Sequence, residues 1–223
     1  MADFAAARRN MVDSQVRPSD VTDPALIAAM LAVPRERFLP ATKASLAYLD
    51  YDVPVLEGAP HRPERRLLKP MVLAKLIQAA SPLESDRVLD VGCAMGYSAA
   101  LLCRLVAEVV ALEEDASLVR AARDKLPEAG CANAEVVEGP LVAGWERGAP
   151  YDVILVEEAV EIMTRLLCEQ LREGGRLVCI RGSGPGAKAM LYRMDDGEIS
   201  GRAIFDASAA LLPGFAETPS FVF

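Results

Sequence analysis

The chain has 223 residues, 52% of them hydrophobic, and 24 basic against 32 acidic side chains give it a net charge of −8. That is enough apolar material for a full core, with no basic run long enough to neutralise a phosphate backbone, so a nucleic-acid partner is not expected. The five cysteines (93, 103, 131, 168 and 179) are scattered, with no C-x-x-C and no histidine cluster. That pattern argues against a metal site and for a reducing compartment, with the cytoplasm as the default. The start has no basic region followed by an apolar core, and no segment approaches a membrane span.

In chain order, residues 4–16 have the spacing of an amphipathic helix, stopped by Arg17-Pro18. Asp23-Pro24 supplies an N-cap and a first-turn proline for a helix that runs to Val33. A short linker and a further turn or two between Ala41 and Tyr48 complete a helical third, expected to pack over one end of the sheet as a lid. Asp50 to Val55 has strand character. The stretch from Gly58 to Arg66 is rich in proline and charge and has no regular pattern. Its basic cluster, Arg62, Arg65, Arg66 and Lys69, is either a solvated loop or a grip for a carboxylate. His61, the only histidine, lies between prolines of this loop, where exposure is expected rather than catalysis. A helix then runs from Met71 to Ala80.

Arg87-Val88-Leu89-Asp90-Val91 is a short apolar strand that breaks at Gly92-Cys93-Ala94-Met95-Gly96 and resumes as a helix from Tyr97. Strand, glycine loop and helix in that order open a nucleotide-binding βαβ unit, although any α/β domain with a glycine turn can share the arrangement. Glycines let a ligand approach the backbone, and a helix start offers free N–H groups. The second strand ends in Glu113, 23 positions after Asp90, where a carboxylate can accept both hydroxyls of a ribose. The loop departs from the G-x-G-x-x-G of dinucleotide folds. An acid at the first strand's end repels a pyrophosphate and suits a cationic adenosine ligand, such as the sulfonium of S-adenosyl-L-methionine.

Asp115 caps a helix to about Leu126, and Ala134–Glu138 and Tyr151–Val156 are the next strands. A helix is expected over Glu161–Arg172, closing at Gly174-Gly175 before a strand over Arg176–Ile180. Alternation of this kind implies a parallel sheet with right-handed crossovers. The runs on either side of Asp195-Asp196-Gly197 form a hairpin signal. The glycine-rich Gly182–Lys188 stretch lacks P-loop spacing and is expected to be a connection.

These pieces together resemble the protein-L-isoaspartate O-methyltransferases, a branch of the class I S-adenosylmethionine-dependent enzymes. The resemblance rests on Val33-Pro34-Arg35-Glu36-Arg37-Phe38-Leu39-Pro40, Ala47-Tyr48-Leu49-Asp50, the D-x-G-x-A-x-G loop, Gly144-Trp145, Ala149–Val156 and Glu169–Val178. It implies a Rossmann-like α/β fold: a mostly parallel central sheet with helices on both faces, an antiparallel C-terminal hairpin and a helical N-terminal extension. Residues 1–80 would be a cap carrying the acceptor side and 81–223 the donor-binding core, in one compact unit. The resemblance also implies S-adenosyl-L-methionine as methyl donor, held by Asp90, Gly92, Cys93, Ala94, Gly96, Tyr97, Glu113, Glu114, Pro140, Leu141 and Glu157. The implied acceptor is an isoaspartyl residue of a peptide or protein.

Departures concentrate on the acceptor side. Leu68 stands where the family's substrate-site serine belongs and its side chain cannot serve, leaving Arg66 and Lys69, with Arg65, as candidate carboxylate grips. Pro140 stands where an acid often serves the adenine side, and Glu157-Glu158 replace a small-residue stretch near the substrate mouth. A small acidic acceptor, or a donor-binding module without isoaspartate activity, are the alternatives these changes raise. Methylating a carboxylate needs no general base, because the acceptor is already ionised at neutral pH. The absence of a Ser-His-Asp set is therefore consistent with catalysis by alignment and exclusion of water.

Overall fold

A computed structural model describes residues 3–60, 63–163 and 165–217 of the chain. His61 and Arg62 lie outside them, so the expectations attached to these two residues stand where the sequence left them.

The N-terminal pattern forms α1 (Phe4–Met11), which continues as a wider π turn over Val12–Val16. Helix α2 (Pro24–Ala32) starts as expected: the Asp23 carboxylate accepts from the Ala25 and Leu26 amides at 2.8 and 3.1 Å. Helix α2 is apolar on nearly every side, and Leu26, Ile27, Ala29 and Met30 are buried. A helix without a polar face packs between layers. It lies against α3 (Pro70–Ala80) and the loop-following helix α4 (Tyr97–Leu102), so the N-terminal third is an outer layer on one face, not a lid over the sheet's end. Between α2 and α3 the chain forms a hairpin, β1 (Val53–Leu56) antiparallel to β2 (Arg65–Leu67).

Seven strands make the main sheet: β3 (Arg87–Val91), β4 (Glu108–Glu113), β5 (Ala134–Glu138), β6 (Tyr151–Val160), β7 (Leu171–Arg181), β8 (Lys188–Asp195) and β9 (Glu198–Asp206). Their order is β5-β4-β3-β6-β7-β8-β9, with the first five parallel and the last two antiparallel. The order reverses at β3, which pairs with β4 on one side and β6 on the other. The crevice at the carboxyl ends of these strands is where open α/β sheets bind ligands. Helix α5 (Ala116–Glu128) is capped by Asp115, and the β8–β9 turn uses Asp196 and Gly197 at φ 53° and 75°.

One sheet face packs with α3, α4, α5 and the N-terminal layer through residues such as Val88, Ala111, Leu155 and Val178. The opposite face, with Leu89, Val110, Ile154 and Leu177, is covered by shorter pieces: 3₁₀ turns over Leu141–Ala143 and Glu146–Gly148, the single turn α6 (Arg165–Cys168), and a C-terminal segment bringing Leu212 and Phe215.

The helix expected over Glu161–Arg172 is a correction. Among the described residues of that stretch Arg165–Cys168 alone is helical; Leu167 of that turn is buried, while Ile162 and Leu166 remain exposed. At its C-terminal end the chain is drawn into β7 instead, where Leu171 pairs with Tyr151. Strand β6 also runs past the expected Val156. Between Leu155 and Ala159 it advances four residues while β7 advances two, so Glu157 and Glu158 sit in a bulge, with Glu158 at φ 65°.

Candidate active site

The glycine loop is bound to β4 by its own backbone. The Gly92 and Cys93 amides both donate to the Leu112 carbonyl, at 2.9 and 3.2 Å. Gly92 has φ 82°, and a Cβ there would stand 3.0 Å from both Arg65 Nη2 and Leu212 Cδ1, so this position requires glycine. Ala94 also lies in the left-handed region, at φ 50°, and its amide donates to Glu113 Oε2 at 2.9 Å. Glu113 Oε1 accepts from the Glu114 and Asp115 amides at 2.9 and 3.2 Å. Three backbone donors thus orient this fully buried carboxylate.

Asp90, at the end of β3, is fully buried and accepts from Ser98 Oγ at 2.6 Å on Oδ2. Its Oδ1, and Oε1 of the neighbouring Glu157, have no hydrogen-bond partner among the described residues. Burial, opposed by the Ser98 hydrogen bond and reinforced by Glu113, pushes the Asp90 carboxyl up to about 7. Burial and the Asp90 charge push Glu157 well above the usual carboxylate range. Two acidic oxygens without donors leave this end of the sheet short of positive charge.

Arg65 enters the same space from β2. Its Nη1 donates to both oxygens of Glu113 at 2.7 and 2.9 Å, its Nη2 to the Gly92 carbonyl at 2.9 Å, and its Nε to Glu158 Oε2 at 3.3 Å. Arg65 is 1% exposed and Glu158 fully buried. Burial works against the Arg65 charge, but Glu113 and Glu158 outweigh it and raise its pKa. The other oxygen of Glu158 accepts from the Arg66 amide, which fastens β2 to the β6 bulge.

Beside this pair opens a cavity of about 560 Å³, lined by Leu56, Arg65, Glu114, Gly139, Pro140 and Pro213 among others. It lies past the carboxyl ends of β4 and β5, beside the expected ribose acid. Glu114 is exposed at its edge, with burial of its carboxyl raising its pKa, and the Leu141 amide lies 3.5 Å from its Oε2. Of the expected donor-side residues, Glu114 and Pro140 line the cavity. Asp90, Gly92, Cys93, Ala94, Gly96 and Glu113 are buried and do not line it; Glu113 and the loop adjoin it through Arg65, which does. Tyr97, Leu141 and Glu157 are buried behind it. Tyr97 packs under the Arg35 guanidinium at 4.8 Å and the Phe38 ring at 5.8 Å. The Cys93 thiol is pushed well up by burial, then by Glu113.

The acceptor-side residues separate. Leu68 is fully buried, and its carbonyl accepts from Arg35 Nη2 at 2.7 Å. Arg66 is part-exposed, paired with Glu64 at 2.9 Å, and donates to the Asp52 carbonyl at 3.2 Å. Lys69 donates its amide to Asp52 Oδ1 at 2.8 Å, with burial raising the Asp52 pKa. Arg65, grouped with these cations by sequence, is committed to Glu113 and Glu158. Sequence reasoning did not reach the C-terminal segment either. Leu212 docks by donating its amide to the Ala159 carbonyl at 2.7 Å, and the Ala159 amide donates to the Ala210 carbonyl at 2.8 Å. The apolar Ala207–Leu212 run was the available signal. Among the described residues no group of His, Cys, Asp and Glu is arranged to hold a metal ion, and no helix is long and apolar enough to cross a membrane.

Comparison with known proteins gives one consistent answer. The family model for protein-L-isoaspartate(D-aspartate) O-methyltransferase matches residues 6–206. Protein-L-isoaspartate O-methyltransferase 1 of Rhodopseudomonas palustris (strain HaA2) is 36% identical over 188 residues, covering 84% of this chain and 74% of that protein. The Methanoregula boonei protein-L-isoaspartate O-methyltransferase is 38% identical over 171 residues, covering 77% and 76%. Among solved structures, a protein-L-isoaspartate O-methyltransferase has a TM-score of 0.80 at 24% identity, covering 93% of this chain and 66% of that one. A Plasmodium falciparum protein solved with S-adenosyl-L-homocysteine has a TM-score of 0.71 at 17% identity, covering 95% and 99%. The two likenesses of structure speak for the fold.

Proposed function

We propose that this chain, which belongs to the protein-L-isoaspartate(D-aspartate) O-methyltransferase family, transfers a methyl group from S-adenosyl-L-methionine to the carboxylate of isoaspartyl residues in peptides and proteins. The observation that carries the donor half is the junction of the glycine loop with Glu113: Ala94 donates to that acid 2.9 Å away, and the next residue, Glu114, lines a cavity of about 560 Å³. The unpaired oxygens of Asp90 and Glu157 fit a ligand that brings positive charge and no phosphate. Glu114 and Pro140 would flank the adenine end, Glu113 the ribose, and Asp90 the cationic end. One contact, from Arg65 to Glu113, does not fit this placement.

When bound, the donor supplies an electrophilic methyl group to an in-line displacement. The chain's own task is then to hold an acceptor carboxylate, already charged at neutral pH, and to keep water away. Leu68 is fully buried and its side chain offers no hydrogen bond. We assign the carboxylate grip to Arg66 and Lys69, the part-exposed cations at the C-terminal end of the β1–β2 hairpin. In this reading residues 1–80 are the acceptor side and 81–223 the donor side of one unit. The protein acceptor over a small free acid, and the cytoplasm as setting, are supported by the family's name, the acidic net charge and the scattered cysteines. Family membership favours the enzyme over the silent binding module that Leu68 and Pro140 suggest.

The test is labelled-methyl transfer from S-adenosyl-L-methionine to a peptide with one isoaspartate, beside the ordinary aspartate peptide. Selective, base-labile labelling is expected. Labelling of neither peptide, by protein that binds the donor, would overturn the acceptor assignment.

A further inference from the structure

A carboxylate has two oxygens and about four lone-pair sites. Glu113 already accepts from three backbone amides, of Ala94, Glu114 and Asp115, and twice more from Arg65 Nη1. No capacity remains for the two hydroxyls of a ribose. The amides alone fix the carboxylate's direction, so Arg65 is not needed to aim it; it takes the oxygen faces that the donor reading gives to the ligand. Its Nη2 also caps the Gly92 carbonyl, and its guanidinium forms part of the cavity wall. A guanidinium and a sulfonium ligand compete for the same acids. The element that carries Arg65 is separable: β2 is three residues long and pairs with β1 in a two-stranded sheet apart from the main one. Such a ribbon has little stability of its own.

We propose that Arg65 is a resident plug of the donor's ribose subsite, and that S-adenosyl-L-methionine binds only when the β1–β2 hairpin withdraws it. The inference rests on the donor reading above. Glu158 is the latch: it receives both the Arg65 side chain and the Arg66 amide, and so holds β2 against the β6 bulge. The plug sits one residue before Arg66 and four before Lys69, so donor entry and the acceptor-side cations are joined through a single short strand.

The test is calorimetric titration of S-adenosyl-L-methionine into the unaltered chain, Arg65→Met and Arg65→Met/Glu158→Gln, with circular dichroism to confirm folding. The single variant strands Glu113 and Glu158, and the double variant neutralises the second of these, leaving Glu113 with its three backbone donors. The plug predicts affinity at least about tenfold higher in the folded variants, because the binding-competent fraction rises. Equal or weaker affinity overturns the plug while leaving the donor site standing. No binding by any folded form overturns both. A second measurement needs no variant: hydrogen exchange in the segment 64–67 should quicken when the unaltered chain is saturated with donor, and unchanged or slowed exchange contradicts withdrawal.

Discussion

Arg65 Nη1 is shared between the two oxygens of Glu113 at 2.7 and 2.9 Å, an ion pair whose side chains are 1% and 0% exposed and 48 positions apart in sequence. Breaking a buried pair from one side leaves an uncompensated charge and costs roughly 3–5 kcal/mol. Glu113→Gln should therefore lose about that much stability in denaturant unfolding, and Arg65→Met/Glu113→Gln should recover a large part of it. Additive losses in this double-mutant cycle would show that the two groups are not coupled.

Stability should fall as pH rises, the reverse of the usual acid sensitivity. Asp90 and Glu158 are each pushed up to about 7 by burial, against about 4 in the unfolded chain. Between pH 4 and 7 the unfolded chain has released these protons and the folded chain still holds them. Its stability declines through that window, and Glu157, also held well above the usual carboxylate range, acts in the same direction. The expected loss is roughly 5 kcal/mol, two groups each over about two pH units, read from urea midpoints at pH 5 and pH 8. Asp90→Asn should flatten the slope; a chain more stable at pH 8 than at pH 5 would contradict the burial account.

How much of this was legible beforehand depended on whether a feature was local. The glycine loop, the Asp23 and Asp115 caps and the Asp196-Gly197 turn are set by residues a few positions apart, and each stands where the sequence placed it. The β6 bulge was not legible. Glu157-Glu158 has the composition of a strand end, and only the distant Arg65 and Ser98, with the Arg66 amide, make burial of two acids there tolerable. The Glu161–Arg172 helix failed for a related reason. Its apolar spacing was sound, but Gln170 is used to clamp a neighbouring turn and Leu171 joins β7. Within the site, the loop and Glu113 were readable, while Arg65 looked like any cation in a charged loop.

That Gln170 clamp is testable. Its side chain accepts from the Trp145 amide at 2.8 Å and donates to the Ala143 carbonyl at 2.7 Å, and it is 6% exposed. Gln170→Ala leaves the part-buried Trp145 amide and Ala143 carbonyl without these partners and should cost roughly 1–2 kcal/mol in thermal or denaturant unfolding. A change within 0.5 kcal/mol would mean that the turn holds itself.

Leu212 is 1% exposed and packs on Gly92. Leu212→Ala should destabilise by about 2–4 kcal/mol through the cavity it leaves. Gly92→Ala should be worse than an ordinary glycine replacement, because a left-handed φ and two contacts at 3.0 Å coincide there. Unfolding midpoints check both, and a neutral Gly92→Ala would refute the crowding at the loop.

The donor site we propose is the loop from Gly92 to Gly96 together with Glu113. Its most direct test is a crystal structure of the chain with S-adenosyl-L-homocysteine. The account predicts the adenosine between Glu113 and Pro140, with the Arg65 guanidinium turned off Glu113. Ligand bound elsewhere would contradict the donor site; ligand bound there with the Arg65–Glu113 pair intact would contradict the plug alone.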